Sequence, residues 1–325
     1  MNARPSPLRI LVAGAGAFGR EHLERLLRRS DATVVGVADT NAAALERACA
    51  HYGVANRRAD PLRLIDEIAA DAIIVATPAA LHVEIGLRAL GQDLCVLLEK
   101  PVAPSATAAA PLIAAAQESA SFVLPGHVLR FSRDHLRVVE IIRSGRIGKV
   151  IYVNSRRYRD DIHAVRYPDA DPVLMTLIHD IDLAQWVTRS AFRSVLAHRS
   201  EGAGFRSMTA VSAATATGVI CDLRTAWTFT DGDLPPDRLE VVGDAGSVEL
   251  VAGQSLHVYA EGRRVGEPTA AADDPLQNEQ DHFLACVRDQ SVTPALDLSE
   301  AIAGLKLADA AIESLSLNRE VMLSG

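Results

Sequence analysis

Three glycines in Gly14-Ala15-Gly16-Ala17-Phe18-Gly19 follow the apolar run Leu8-Arg9-Ile10-Leu11-Val12-Ala13 and open a helical pattern. In that setting Gly14 permits a tight turn, Gly16 lets the backbone approach a pyrophosphate, and Gly19 allows close helix packing. Ala17 and Phe18 then stand where a helix N-terminus meets phosphates. Asp39 ends the next β-rich run, where a carboxylate accepts hydrogen bonds from adenosine ribose hydroxyls and repels a 2'-phosphate. This predicts NAD in preference to NADP; the lesser alternative is that Asp39 only caps the helix starting near Asn41. Further on, Glu99-Lys100-Pro101 closes an apolar run and sets a lysine beside the dinucleotide site. The chemistry suggested is hydride transfer on a small polar molecule.

These residues need a scaffold of parallel strands. Arg9 to Ala13, Thr33 to Asp39, Ala72 to Thr77, Asp93 to Leu98 and Phe122 to Gly126 read as strands alternating with helices. Val/Ile/Leu runs without strict alternation suit strands covered on both faces, so residues 1–125 are expected to form a doubly wound parallel Rossmann sheet. The Ala-rich helix from Ala106 carries Pro111, which is expected to kink it. From Gly148 the character changes. Lys149 to Ser155, Ser194 to His198, Ser207 to Ala216, Val219 to Phe229, Arg238 to Val242, Ser247 to Val251 and Ser255 to Ala260 read as strands with few helices between them. Residues 126–325 are therefore expected to be an α+β domain on a large, mainly antiparallel open sheet. Alternation across Thr225 to Phe229 suggests one face covering helices and the other meeting a partner or solvent.

Composition narrows the function classes. A 325-residue chain with 49% apolar and 23% charged residues can bury two domain cores. Net charge is -8 and the Lys and Arg residues are scattered, so no footprint for nucleic acid or an anionic membrane is expected. Four separated cysteines form no zinc or disulfide pattern, and no metal is expected. Without a signal-like segment or a run approaching ~20 apolar residues, a cytoplasmic location is expected.

Thr77-Pro78-Ala79-Ala80-Leu81-His82 and Glu99-Lys100-Pro101 resemble the Gfo/Idh/MocA family, the glucose-fructose oxidoreductase and inositol dehydrogenase type. The resemblance continues through Gly126-His127-Val128-Leu129-Arg130-Phe131, Ile178-His179-Asp180-Ile181-Asp182, Gln280-Asp281-His282-Phe283 and the helix from Ser299 to Ser316. It implies that Thr77, Pro78 and His82 lie along the nicotinamide half of NAD, with Glu99 and Lys100 completing the cofactor site. It also implies that Lys100 reaches the reacting oxygen, and that the open sheet makes a homodimer or homotetramer. Two departures stand out. The family commonly has Asn where this chain has Ala79, and its inositol dehydrogenases carry Asp where this chain has Met175.

Alcohol oxidation needs a base near neutral pKa and a cation for developing oxyanion character. On the resemblance, His179 and Lys100 take those roles, and either Asp161 or Asp182 stands in for the acid lost at Met175 or proton transfer differs. Arg130, Arg157, Asp161, His163, Tyr167 and Asp182 are the candidates for binding a carbohydrate-like substrate. The expected activity is an NAD-dependent dehydrogenase or reductase on a sugar, inositol or related polyol. A redox-neutral NAD-dependent glycosidase and a non-catalytic NAD(H) sensor are the alternatives.

Overall fold

The computed structural model describes residues 7–166, 170–204, 206–230, 233–270, 272–289 and 291–323, except the side chains of His163, Ala164 and Arg166. Its N-terminal strands are β1 (Leu8–Ala13), β2 (Ala32–Ala38), β3 (Arg57–Arg58), β4 (Ala72–Val75), β5 (Cys95–Glu99) and β6 (Val123–Gly126). They form one parallel sheet in the order β3-β2-β1-β4-β5-β6. Every residue of β4 and β5 is buried, as both-face coverage requires. The order reverses between β1 and β4, and the crevice beyond their carboxyl ends is where such sheets bind ligands.

The crossover helices are α1 (Ala17–Leu26), α2 (Ala42–Tyr52), α3 (Pro61–Glu67), α4 (His82–Leu90) and α5 (Ala106–Glu118). Short polar side chains start three of them: Asn41, Asp60 and Ser105 accept from Ala44, Leu62 and Ala108 backbone N–H groups. Each such cap is worth about 1 kcal/mol. The helical assignment runs through Pro111 from Ala106 to Glu118, so the proline does not end this helix. The short edge strand β3 was not legible as a strand, because Arg57 and Arg58 read as solvated charges. They do form exposed ion pairs, with Glu46 and Glu67.

The remaining strands are β7 (Val150–Asp160), β8 (Phe192–Glu201), β9 (Ser207–Thr215), β10 (Ile220–Phe229), β11 (Arg238–Gly243), β12 (Gly246–Val251), β13 (Ser255–Ala260), β14 (Arg263–Glu267) and β15 (Val321–Met322). They make a sheet in the order β14-β13-β12-β11-β7-β10-β9-β8-β15, antiparallel throughout except where β7 meets β10. Val153, Cys221, Leu223, Val211, Val241, Val248 and Val258 fill its buried face. With α6 (Arg133–Arg143), α7 (Asp161–Arg166) and α8 (Ile178–Thr188), this part has the expected α+β character. The alternation expected across Thr225 to Phe229 does not hold: Thr225, Ala226 and Trp227 are all buried, and the pairing slips between Trp227 and Phe229. Pairing is regular through Trp227, so Ala226 lies on the face opposite Thr225 and Trp227 and both faces are covered at this point, while Trp227 Nε1 donates to the buried Thr176 hydroxyl at 2.9 Å.

Two further α-helices are α9 (Pro275–Arg288) and α10 (Leu298–Leu317). The chain forms two compact units. One holds Met1–Val128 and Leu276–Ile302, the other Leu129–Pro275 and Ala303–Gly325. A contiguous second part from residue 126 onward therefore differs from the structure at α9, which joins the first unit through fully buried Phe283, packed edge-on to Phe122 at 5.8 Å. Among the described residues, no helix is long and apolar enough to cross a membrane.

Candidate active site

The glycine loop is built as a backbone cradle. Gly14 has φ +101°, and a Cβ there would lie 2.4 Å from the Ala76 carbonyl oxygen at the end of β4. A Cβ on Gly19 would lie 2.0 Å from the Gly14 carbonyl oxygen, whereas one on Gly16 would meet nothing within 4 Å. Gly16, Ala17 and Phe18 are exposed in succession at the start of α1, whose first turn carries no acid and whose N-cap has no side-chain bond. The N-terminal N–H groups thus face an approach open to an anion.

Asp39 braces that loop. Its Oδ2 accepts from Ala15 N at 2.6 Å and its Oδ1 from Asn41 N at 2.7 Å. Asn41, and not Asp39, caps α2, so the capping alternative for Asp39 is set aside. On the other side of the switch point, the Thr77 hydroxyl is buried and has no hydrogen-bond partner among the described residues. An orphaned polar atom there suits a ligand that supplies one.

His82 and Glu99 are tied to the backbone on either side of Lys100. The His82 ring is buried between two carbonyls, with Nδ1 2.9 Å from Pro101 O and Nε2 2.8 Å from Thr77 O. Burial pulls its pKa below the usual histidine range despite those two acceptors. It pins the Thr77 turn to the residue following Lys100. Glu99, also buried, accepts from the Lys100 backbone N at 3.1 Å. Lys100 itself is half-buried and precedes a cis bond to Pro101, while Pro78 is exposed.

In the second unit, half-buried His179 sits in the first turn of α8, just ahead of Asp180 and Asp182, two acids held by arginines. Arg157 on β7 grips Asp180 through Nε at 2.9 Å and Nη2 at 3.2 Å, and also pairs with Asp237. Arg130 grips Asp182 through Nε and Nη2. The hydroxyl-binding role expected of Arg130, Arg157 and Asp182 is thereby corrected, because buried charges must be paired and these pair with protein. Asp161 pairs with Arg206 at 2.9 Å. The His163 side chain and Tyr167 lie outside the described residues. Met175 falls in a π-helical turn, Val173–Leu177, that leads into α8.

Residues 8–127 match a family described as the oxidoreductase family with an NAD-binding Rossmann fold, and residues 135–249 match the GFO/IDH/MocA C-terminal domain. The chain belongs to the Gfo/Idh/MocA family. It is therefore a member of an oxidoreductase family with an NAD-binding domain, and the glycine loop, the acid-free start of α1 and the orphaned Thr77 hydroxyl fit that cofactor. The chain is 29% identical over 271 residues to inositol 2-dehydrogenase 2 of Saccharopolyspora erythraea, covering 81% of this chain and 78% of that one. Its fold is similar to that of myo-inositol 2-dehydrogenase from Lactobacillus plantarum, with TM-score 0.86 and 22% identity over 98% of this chain and 100% of that one. Scyllo-inositol dehydrogenase from Lactobacillus casei, solved with NAD(H) and scyllo-inositol, superposes with TM-score 0.84 and 18% identity, covering 97% and 98% of the two chains.

Among the features that sequence reasoning missed are buried His22 on α1 and Glu279 on α9, which meet Glu99 beside Gln280, a residue singled out only as part of the resemblance. A histidine one turn into an apolar helix face was the only available signal for the first.

Proposed function

We propose that this chain is an NAD-dependent dehydrogenase or reductase acting on a secondary alcohol or ketone of a sugar, inositol or related polyol. The observation that carries the reading is the tie between lysine and dinucleotide loop within one unit: His82 joins Thr77 to Pro101, and Gly14 packs on Ala76 next to Thr77. The inositol dehydrogenase relatives support the substrate class.

When bound, NAD accepts or returns a hydride. Gly14, Gly16, Ala17, Phe18 and Gly19 would hold its pyrophosphate and Asp39 its ribose, with Thr77 and Pro78 toward the nicotinamide. Lys100 stabilises negative charge growing on the reacting oxygen. His179 takes the hydroxyl proton in oxidation and returns it in reduction. The arginine-held Asp180 and Asp182 fix the helix start that carries His179, a positioning task in a chain that has Met175 in place of the usual acid. A homo-oligomer through the nine-stranded sheet belongs to the same proposal.

The test is NADH formation by the purified protein over a panel of inositols, aldoses, sugar acids and sugar alcohols, beside a nitrophenyl glycoside. Activity on a polyol or sugar is expected. Cleavage of the glycoside without net NADH would overturn the dehydrogenase reading, as would NADH binding with no turnover of any panel member.

A further inference from the structure

Glu279 is fully buried on α9, and neither of its carboxyl oxygens has a hydrogen-bond partner among the described residues. It faces a network that runs to Lys100. Gln280 Nε2 donates to His22 Nδ1 at 3.0 Å and to His22 O at 3.1 Å. Because Nδ1 is the acceptor, the ring proton resides on Nε2, which donates to Glu99 Oε1 at 2.9 Å. Glu99 Oε2 in turn accepts from the Lys100 backbone N. A Cβ on Gly126 would come within 3.1 Å of the Glu99 carboxylate carbon and Oε1, so glycine at this point of β6 spares that carboxylate a tight contact.

One ring nitrogen of His22 and one oxygen each of Glu99 and Glu279 lie within 4.8 Å of one another, a spread that would also suit an ion. The Gln280 amide argues otherwise, because it keeps Nε2 protonated and turned to Glu99. Two carboxylates this close in a dry interior cannot both ionise cheaply. Burial, with the Glu99 charge second, pushes the Glu279 carboxyl well above its usual range.

We infer that Gln280, His22 and Glu99 form a positioning relay that sets Lys100 against the dinucleotide loop, and that Glu279 stands behind it as a neutral carboxylic acid. The relay begins on α1, the helix that the glycine loop opens, and ends at the lysine. His82 holds the other side of the same residue through Pro101. Its effect on turnover rests on the role proposed for Lys100, but its geometry does not.

Gln280→Leu removes both bonds to His22. Imidazole NMR is expected to show the Nε2–H form of His22 in the wild type and a mixture of tautomers in the variant, with a displaced Lys100 amide resonance. On the substrate identified by the panel, kcat is expected to fall about tenfold to a hundredfold while NADH affinity holds. Gln280→Glu keeps the volume and offers Nδ1 an acceptor, so it is expected to displace the same two signals should Gln280→Leu fail to fold. An unmoved Lys100 amide, or a loss wholly in NADH affinity, would overturn the relay. For Glu279, infrared spectroscopy is expected to show a protonated-carboxyl band that Glu279→Gln removes, and identical spectra would overturn its neutral state. Lys100→Met keeps the two failures apart: wild-type turnover in that variant overturns the functional reading and leaves the NMR result to decide the relay.

Discussion

Arg130 and Asp182 meet as a buried, two-pronged ion pair, with Nε at 2.9 Å and Nη2 at 2.8 Å from the two carboxylate oxygens and side chains only 2% and 3% exposed. The Arg130 guanidinium also lies over the Trp186 ring, 5.3 Å from its centroid and one helical turn beyond Asp182. Removing one partner leaves a bare charge, whereas removing both leaves an apolar contact. Arg130→Met is therefore expected to cost about 3–5 kcal/mol of stability, most of it recovered in the Arg130→Met, Asp182→Leu double variant. Denaturant unfolding of the two proteins checks this, and an equal loss in both would contradict it.

Asp39 does two jobs in this account, so Asp39→Ala should reveal both. Loss of the ribose acceptor is expected to shift preference toward NADP, and loss of the bond to Ala15 N is expected to weaken binding of both nucleotides. Dissociation constants for NADH and NADPH measure the two effects separately. An unchanged ratio would remove the ribose role.

Gly14→Ala is expected to abolish nucleotide binding. The new methyl would collide with the Ala76 carbonyl, and φ of +101° is hostile to any other residue. Calorimetric titration with NADH should show no heat of binding, beside a lowered thermal midpoint.

Stability should fall on acidification through His135. Burial, followed by the Arg157 charge, lowers its pKa from 6.5 to about 3. The folded state therefore binds fewer protons than the unfolded chain between those values, and its stability is full above 6.5 and declines as pH falls toward 3. Asp237, held below the usual carboxylate range by Arg157 and Arg159 against its own burial, adds to the same acid-side loss. Denaturant midpoints across that range check the slope, and His135→Gln should flatten it.

The doubly wound sheet was legible because β1, β4 and β5 are mostly apolar runs, broken only by Arg9 and Glu99, and the glycine motif stands between a strand and a helix. The open sheet was legible from its strands up to Ser155. That strand was expected to end at Ser155, with Arg157 a substrate candidate, yet β7 continues to Asp160, where Arg157 and Arg159 pair with Asp180 and Asp237 from distant segments. Pairings between residues 23 to 80 positions apart leave no local pattern, and they recast the expected substrate ligands as structural pairs. The same holds for Gln280 and His22, 258 positions apart. The resemblance implied the role proposed for Lys100, but not the network beside it.

The proposed hydride chemistry turns on Lys100, and the most direct measurement is product stoichiometry with and without its ammonium group. The wild type should form NADH one-for-one with a ketone from a polyol or sugar, and Lys100→Met should lower kcat by at least about a hundredfold while still binding NADH. Wild-type turnover in Lys100→Met, or product formed with no net NADH, would contradict it.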